Sequence, residues 1–196
     1  MLSYFLAMST NLEIESKAML SKSDYEKLME SFPHIDSYTQ INYYISSKEL
    51  LSKVSKYGMR IRKKNKAFEL TLKDKNNDEI IEINQEIPRK SYVFLKYFHK
   101  FPDGDVKDYL TINMIGDPSK LKIIGKMKTI RKDIKLQSSL ISIDKSIYNH
   151  HVDYEIECED KTPIAAKTNL QIFLAQHEIV YKKSELSKLA RFLQTK

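Results

Sequence analysis

The sequence predicts an α+β fold built on antiparallel β-strands, and three observations predict it. Apolar and polar residues alternate with the period of a strand at many places along the chain. A few helical segments with capping signals fall between and after those stretches. Only 4 Gly and 5 Pro punctuate 196 residues, and no Ser/Gly-rich linker, fixed-period repeat or low-complexity tract divides them. Many antiparallel strands with few helices is the α+β pattern.

The elements follow in order. Leu12-Glu13-Ile14-Glu15-Ser16-Lys17 puts Glu13, Glu15 and Lys17 on one face and Leu12 and Ile14 on the other. Ser23-Asp24-Tyr25-Glu26 has the Ser-x-x-Glu form of a capping box and predicts a helix through Leu28 and Met29. Tyr57 to Arg62 is a strand pairing Arg60 with Arg62 opposite Met59 and Ile61, and Lys63-Lys64-Asn65-Lys66 is a basic hairpin-like tip. Phe68 to Lys73 sets Glu69, Thr71 and Lys73 against Leu70 and Leu72; Asn76-Asn77-Asp78 turns the chain, and Ile81 and Ile83 alternate with Glu82 and Asn84. Helices are predicted from Pro88 to Phe101, ending near Pro102, and from Val106 to Ile115. The aromatic cluster Tyr92, Phe94, Tyr97, Phe98 and Phe101 has helical spacing and reads as packing rather than a base-stacking platform. Met127 to Arg131 and Leu140 to Asp144 are strands; after a turn at His150-His151, Val152 to Glu159 carries Asp153, Glu155, Glu157 and Glu159 on a single face. Thr162-Pro163 caps a helix running from Ile164 to Gln176, and Ser184 to Arg191 begins a short last one.

Composition excludes several classes. With 41% hydrophobic and 30% charged residues, 12 Tyr and 8 Phe, the chain can fold. The single cysteine, Cys158, excludes an internal disulfide framework and any multi-cysteine zinc or iron–sulfur site. It alternates onto the apolar face with Tyr154 and Ile156 and reads as a packing residue. No apolar run approaches the roughly 20 residues needed to cross a bilayer. Met1 to Ala7 is apolar but short and without a basic flank, unlike a signal peptide, and is compatible with a start at Met8. The expected organisation is a disordered extension over residues 1–10 and one domain over 11–196, cytoplasmic and without a membrane partner. The net charge of +7 suggests a polyanion binder on composition alone, although a Lys-rich surface accounts for it equally.

Charge sorting is more informative than charge sum. Side chains at i and i+2 share a strand face, so Glu13/Glu15 and Asp153/Glu155/Glu157/Glu159 stack like charges, and Arg60/Arg62 does so with the opposite sign. Such rows repel unless counter-charges compensate. If the strands close into a barrel, the rows face each other across a lumen while helices cover the apolar outer face. Carboxylates are the hard oxygen ligands that Mg²⁺ or Mn²⁺ prefers, and Arg and Lys donate to phosphate oxygens. Rows of both signs in one cavity describe a site for a metal–polyphosphate complex.

At these residues the sequence resembles the CYTH superfamily, the triphosphate tunnel metalloenzymes. The Glu-x-Glu-x-Lys motif stands as Glu13-Ile14-Glu15-Ser16-Lys17, followed by Arg60-Ile61-Arg62, Leu70-Thr71-Leu72-Lys73 and Thr129-Ile130-Arg131. Ser142-Ile143-Asp144-Lys145 with Tyr148, Asp153-Tyr154-Glu155-Ile156-Glu157 and a terminal Ser187-Lys188-Leu189-Ala190-Arg191 complete the order. The match runs from about Asn11 to the C-terminus and looks most like small single-domain members from Gram-positive bacteria, often labelled adenylate cyclases. The resemblance implies a closed eight-stranded antiparallel β-barrel and metal-dependent hydrolysis at the terminal phosphate of a small triphosphate. It implies Glu13, Glu15, Asp144, Glu155 and Glu157 as metal ligands for Mg²⁺ or Mn²⁺, and Lys17, Arg60, Arg62, Lys73, Arg131 and Lys188 as phosphate-binding groups. Glu13, Glu15 and Lys17 form the catalytic set. Glu69 and Glu82 line the same lumen without an assigned role, and Asp153 and Glu159 stand outside the core set. Inorganic triphosphate, nucleoside triphosphates and thiamine triphosphate are the candidate substrates. Class IV-like adenylyl cyclase and a non-catalytic polyphosphate- or nucleotide-binding module are the alternatives; nucleic acid is disfavoured, and a homodimer stays open.

Overall fold

Alternating side chains build every strand of the computed structural model, which describes residues 10–76 and 79–196. The turn expected at Asn76-Asn77-Asp78 falls largely outside those residues, as do 1–9. Nine strands and six α-helices are present among them. They fall into two compact units, one formed by residues up to 13 with 41–126, the other by 14–40 with 127–196.

In the first unit, β1 (Thr10–Glu13), β4 (Tyr57–Lys64), β5 (Ala67–Asn76) and β6 (Glu79–Ile87) pair antiparallel in the order β1-β6-β5-β4. The β4–β5 hairpin turns at Asn65-Lys66, where Asn65 takes a left-handed φ of 54°. The register puts Arg60 opposite Thr71, Arg62 opposite Glu69, and Lys73 opposite Glu82. The other face carries Met59, Ile61, Phe68, Leu70, Leu72 and Ile83, all buried. Against it pack Leu95 of α3 (Arg89–Phe98) and Val106, Tyr109 and Leu110 of α4 (Asp105–Ile112). Each such apolar side chain stabilises by about 1.5–3 kcal/mol on burial. Two polar residues on this face serve α4. Gln85 donates to the Asp103 carbonyl at 2.7 Å and accepts from the Val106 amide. At Gly104, φ is 121° and a Cβ would meet the Gln85 amide at 2.3 Å, so the turn requires glycine. Asp74 accepts from the Tyr109 hydroxyl at 3.1 Å.

The second unit repeats the plan. β2 (Glu15–Leu20), β8 (Leu140–Tyr148), β9 (His151–Glu159) and the Met127–Lys135 part of β7 (Lys122–Lys135) pair antiparallel in the order β7-β8-β9-β2. Its apolar face of Ala18, Leu20, Ile134, Ile141, Ile143, Ile156 and Cys158 is covered by α1 (Lys22–Ser31) and α5 (Pro163–Gln176), through Tyr25, Leu28, Leu170, Phe173 and Leu174. Lys132, 5% exposed on this face, donates to the Met29 and Phe32 carbonyls at the end of α1, satisfying groups a helix C-terminus leaves open.

Several boundaries differ from the sequence reading. The expected single strand over 12–17 breaks at Ile14, whose carbonyl accepts from the Asp160 amide; β1 then pairs with β6 and β2 with β9. This split contributes to a strand count of nine instead of eight. β3 (Tyr38–Ser46) was not legible, because its polar face is the uncharged Gln40 and Asn42. The first helix is capped two residues early, by Ser21 in a capping box with Asp24, and α6 (Lys188–Gln194) starts only after Ser187 caps it. Thr162 caps α5 as expected, accepting from the Ala165 amide. The turn before β9 lies at Asn149-His150, both with positive φ. α2 (Lys48–Leu51) is a single turn.

Candidate functional site

The polar face of each unit's sheet carries the charged rows. In the second unit Arg131, Asp144, Glu155, Glu157 and Lys17 are cross-strand neighbours: Arg131 faces Asp144, Asp144 faces Glu155, and Lys17 faces Glu157. Antiparallel register thus converts rows along single strands into alternating charges across the sheet. Arg131 grips Asp144 with two hydrogen bonds, 2.7 Å from Nε and 2.6 Å from Nη2, and also contacts Glu157. Lys188, on α6, sits 2.8 Å from Asp144 and 2.6 Å from both Glu155 and Glu157. Arg191, one turn on, donates to Asp153 at 2.8 Å and to both oxygens of Glu155, and also binds Ser184 and the Leu186 carbonyl. Lys17 lies 2.6 Å from Glu15 and 3.5 Å from Glu157.

This cluster is dry: Asp144 and Glu155 have no exposed surface. Burial pushes the Glu155 carboxyl up, but Lys188, with Lys17 and Arg191, outweighs it and holds Glu155 at about 2. Glu157 lies well below the carboxylate range, its burial overcome by Lys188, Lys17 and Arg131. Lys188 is raised in turn, because Asp144, Glu155 and Glu157 outweigh the cost of burying an ammonium. At one end of this face the Asp133 carboxylate accepts from Tyr38 and Ser142, each at 2.8 Å.

In the first unit Lys73 bridges Glu13 and Glu82, at 2.8 Å from Glu82. Glu82 is held at about 2: burial raises it, while Lys73 and Arg60 lower it more. Arg62 donates to Asn42 at 3.2 Å, and Thr71 to Asn84 at 2.8 Å. The buried Arg60 Nε has no hydrogen-bond partner among the described residues.

Every residue expected as a metal ligand or phosphate-binding group therefore lies on the polar face of its sheet or, for Lys188, projects onto that face from α6. Asp144, Glu155 and Glu157, expected as metal ligands, are engaged by Lys188, Arg131 and Arg191. Glu15 and Glu159 are cross-strand partners with carboxylate oxygens within 4.8 Å of each other, and Glu13 precedes Glu15 across the Ile14 break. Hard oxygen donors at this spacing fit Mg²⁺ or Mn²⁺. Sequence reasoning left out Glu159 and Arg191, although Glu159 continues the Glu155/Glu157 alternation and Arg191 follows Lys188 by one helical turn. It also missed Asn42, whose strand it did not see. His150 is exposed at the turn, and His151 is exposed at the start of β9. Cys158 is fully buried, and burial pushes its thiol up to about 11.

In each unit, acidic and basic groups interleave on the polar face of an antiparallel sheet, with helices on the apolar face. The chain belongs to the CYTH family, whose domain matches residues 11–193. It is 30% identical over 191 residues to the Bacillus subtilis (strain 168) protein named "Putative triphosphatase YjbK", a match covering 96% of this chain and 98% of that one. Among solved structures it is similar to a Bacillus halodurans protein titled "putative adenylate cyclase", at 29% identity and a TM-score of 0.85, covering 94% of this chain and 99% of the other. The Hippeastrum protein HpAC1 shares the fold at 22% identity and a TM-score of 0.79, covering 94% of this chain and 96% of that one. The α+β fold class expected from the sequence, antiparallel strands with helices on their apolar faces, thus stands, with nine strands among the described residues in place of eight.

Proposed function

We propose that the protein is a divalent-metal-dependent triphosphatase that removes the terminal phosphate of a small triphosphate. The observation that carries this reading is the interleaving of Lys17, Arg131 and Lys188 with Glu15, Asp144, Glu155 and Glu157 on one polar face, matched by Lys73, Arg60 and Arg62 with Glu13 and Glu82 on the other. An anion site alone does not need buried carboxylates, and a cation site alone does not need buried Arg and Lys. Membership of the CYTH family and the name of the Bacillus subtilis relative point the same way.

In this reading Glu15 and Glu159 hold Mg²⁺ or Mn²⁺, with Asp144, Glu155 and Glu157 as further oxygen donors, and Glu13 offers a carboxylate on the first unit's face. The bound ion supplies polarisation of phosphoryl oxygens and acidification of water. Arg60, Arg62, Lys73, Arg131 and Lys188 bind and orient the triphosphate and neutralise charge on its non-bridging oxygens. Arg60, with its buried Nε lacking a hydrogen-bond partner, has a donor available for such an oxygen. Lys17 sits between Glu15 and Glu157 and keeps the two carboxylates at fixed spacing. Asp144, Glu155 and Glu157 pre-position the donors of Arg131 and Lys188, so little reorganisation is needed on binding. No His or Ser nucleophile enters the scheme.

The test is phosphate release from inorganic triphosphate, nucleoside triphosphates and thiamine triphosphate with Mg²⁺ or Mn²⁺. The expected result is metal-dependent release that Glu13→Ala lowers by about a hundredfold or more. Absence of release across that panel sinks the reading, and cyclic AMP formed from ATP redirects it to a cyclase.

A further inference from the structure

Helix α3 buries one face and leaves an unusual one open. Leu95 is fully buried and Tyr92 packs against Tyr43 and Phe68, with ring centroids at 4.7 and 5.1 Å. On the opposite side Phe94, Tyr97 and Phe98 are 46%, 64% and 68% exposed. Their i, i+3 and i+4 spacing makes a continuous aromatic stripe, and Phe94 and Phe98 touch at 5.9 Å. The sequence reading assigned all five aromatics of this segment to packing; only Tyr92 and Phe101 are used so. Three large rings left in water on one helix edge mark an interaction surface.

Along the helix itself the charge has one sign. From residue 89 to 100 the chain carries Arg89, Lys90, Lys96 and Lys100, all exposed, and no Asp or Glu. Lys96 Nζ lies 4.9 Å from the Tyr97 ring centroid, its stem lying along the aromatic surface while its head stays in water.

We propose that α3 is a peripheral docking surface for an anionic lipid bilayer, with Phe94, Tyr97 and Phe98 seated at the headgroup–acyl boundary and the flanking cations on lipid phosphates and carboxylates. The complementarity is that of interfacial helices, aromatic anchors beside basic residues. A second copy of the chain fits less well, because a self-complementary contact brings Arg89, Lys90, Lys96 and Lys100 against the same cations. Base stacking also fits less well: Phe94 and Phe98 are tilted 58° against each other and offer no pair of parallel faces to successive bases. The absence of a helix long and apolar enough to cross a membrane among the described residues bears on spanning, not on a surface contact. The inference is independent of the triphosphatase reading.

Co-sedimentation of the full chain with vesicles of phosphatidylcholine, and of phosphatidylcholine with one-third phosphatidylserine, tests it. Binding to the anionic vesicles is expected to be about tenfold stronger than to the neutral ones at low salt. The double substitution F94S/F98S is expected to lower it by about tenfold while shifting the melting temperature by a few degrees at most, since Phe94 and Phe98 are 46% and 68% exposed. K90E/K96E, which keeps the aromatics, removes the preference for anionic vesicles. Absence of binding to anionic vesicles, or equal binding by F94S/F98S, overturns the proposal. So does a dimer in sedimentation velocity that dissociates in F94S/F98S, which assigns the stripe to a second copy. Single-stranded RNA bound through the same residues more tightly than vesicles overturns it in favour of nucleic acid.

Discussion

The two polar faces solve the same electrostatic problem differently. The Arg131–Lys188 face is dense and dry: Asp144 and Glu155 are fully buried, and their charge is met by three cations at contact distance. The Lys73 face is diluted by Asn42, Thr71 and Asn84, which hydrogen-bond among the charges, and its paired carboxylates Glu13 and Glu82 keep 15% and 13% of their side chains exposed. A charge removed from the dry face leaves an uncompensated buried ion, whereas solvent reaches the diluted face and softens the same loss. The first face couples stability to charge tightly; the second is freer to exchange its internal partners for a ligand.

Substitutions can break this contrast. The largest effect is expected for Glu155→Ala and Lys188→Ala, each stranding buried partners and costing about 3–5 kcal/mol in urea unfolding. Lys73→Ala is expected to cost about 1 kcal/mol by the same measurement, while raising KM for triphosphate about tenfold or more. Equal destabilisation by Lys73→Ala and Lys188→Ala would show that the two faces do not differ.

Acid sharpens the comparison. Glu155 and Glu82 are both held at about 2 and Glu157 is also lowered. A depressed carboxyl contributes stability that is present above its unfolded value near 4.5 and lost as pH falls toward 2. Unfolding free energy is therefore expected to decline from about pH 5 downward. Glu155→Gln and Glu82→Gln are each expected to flatten that decline by a similar amount, because both carboxyls are held at about 2. A decline unchanged in either variant would show that its carboxyl is not depressed. The smallest effect is expected for Asn42→Ala, which removes the Arg62 acceptor at 3.2 Å. It should change stability by about 1 kcal/mol or less and KM by a few-fold at most, read from thermal melts and steady-state rates.

Much of this was legible before any coordinates. Alternation at Tyr57–Arg62, Phe68–Lys73 and Val152–Glu159 gave the strands and their polar faces, because a period of two leaves no other assignment for a half-buried sheet. It also put Arg60, Arg62, Lys73, Glu155 and Glu157 on those faces. β3 escaped because Gln40 and Asn42 carry no charge to contrast with Ile41 and Tyr43. The break at Ile14 escaped because it depends on which strand each half pairs with. Arg191 escaped because its role depends on where a terminal helix docks.

The sequence by itself determined the two-faced strands, the sorting of acids from bases along each strand, and the resemblance that proved to be family membership. These follow from local periodicity and residue chemistry, which need no partner. Only the tertiary structure decided which charge meets which. Arg131 and Asp144 are 13 residues apart, and Lys188 and Glu155 are brought together only when α6 docks on β9. It also decided that Phe94, Tyr97 and Phe98 stay in water while Leu95 between them is buried. One helix can cover a sheet with only one side, and helical spacing alone does not say which side that is.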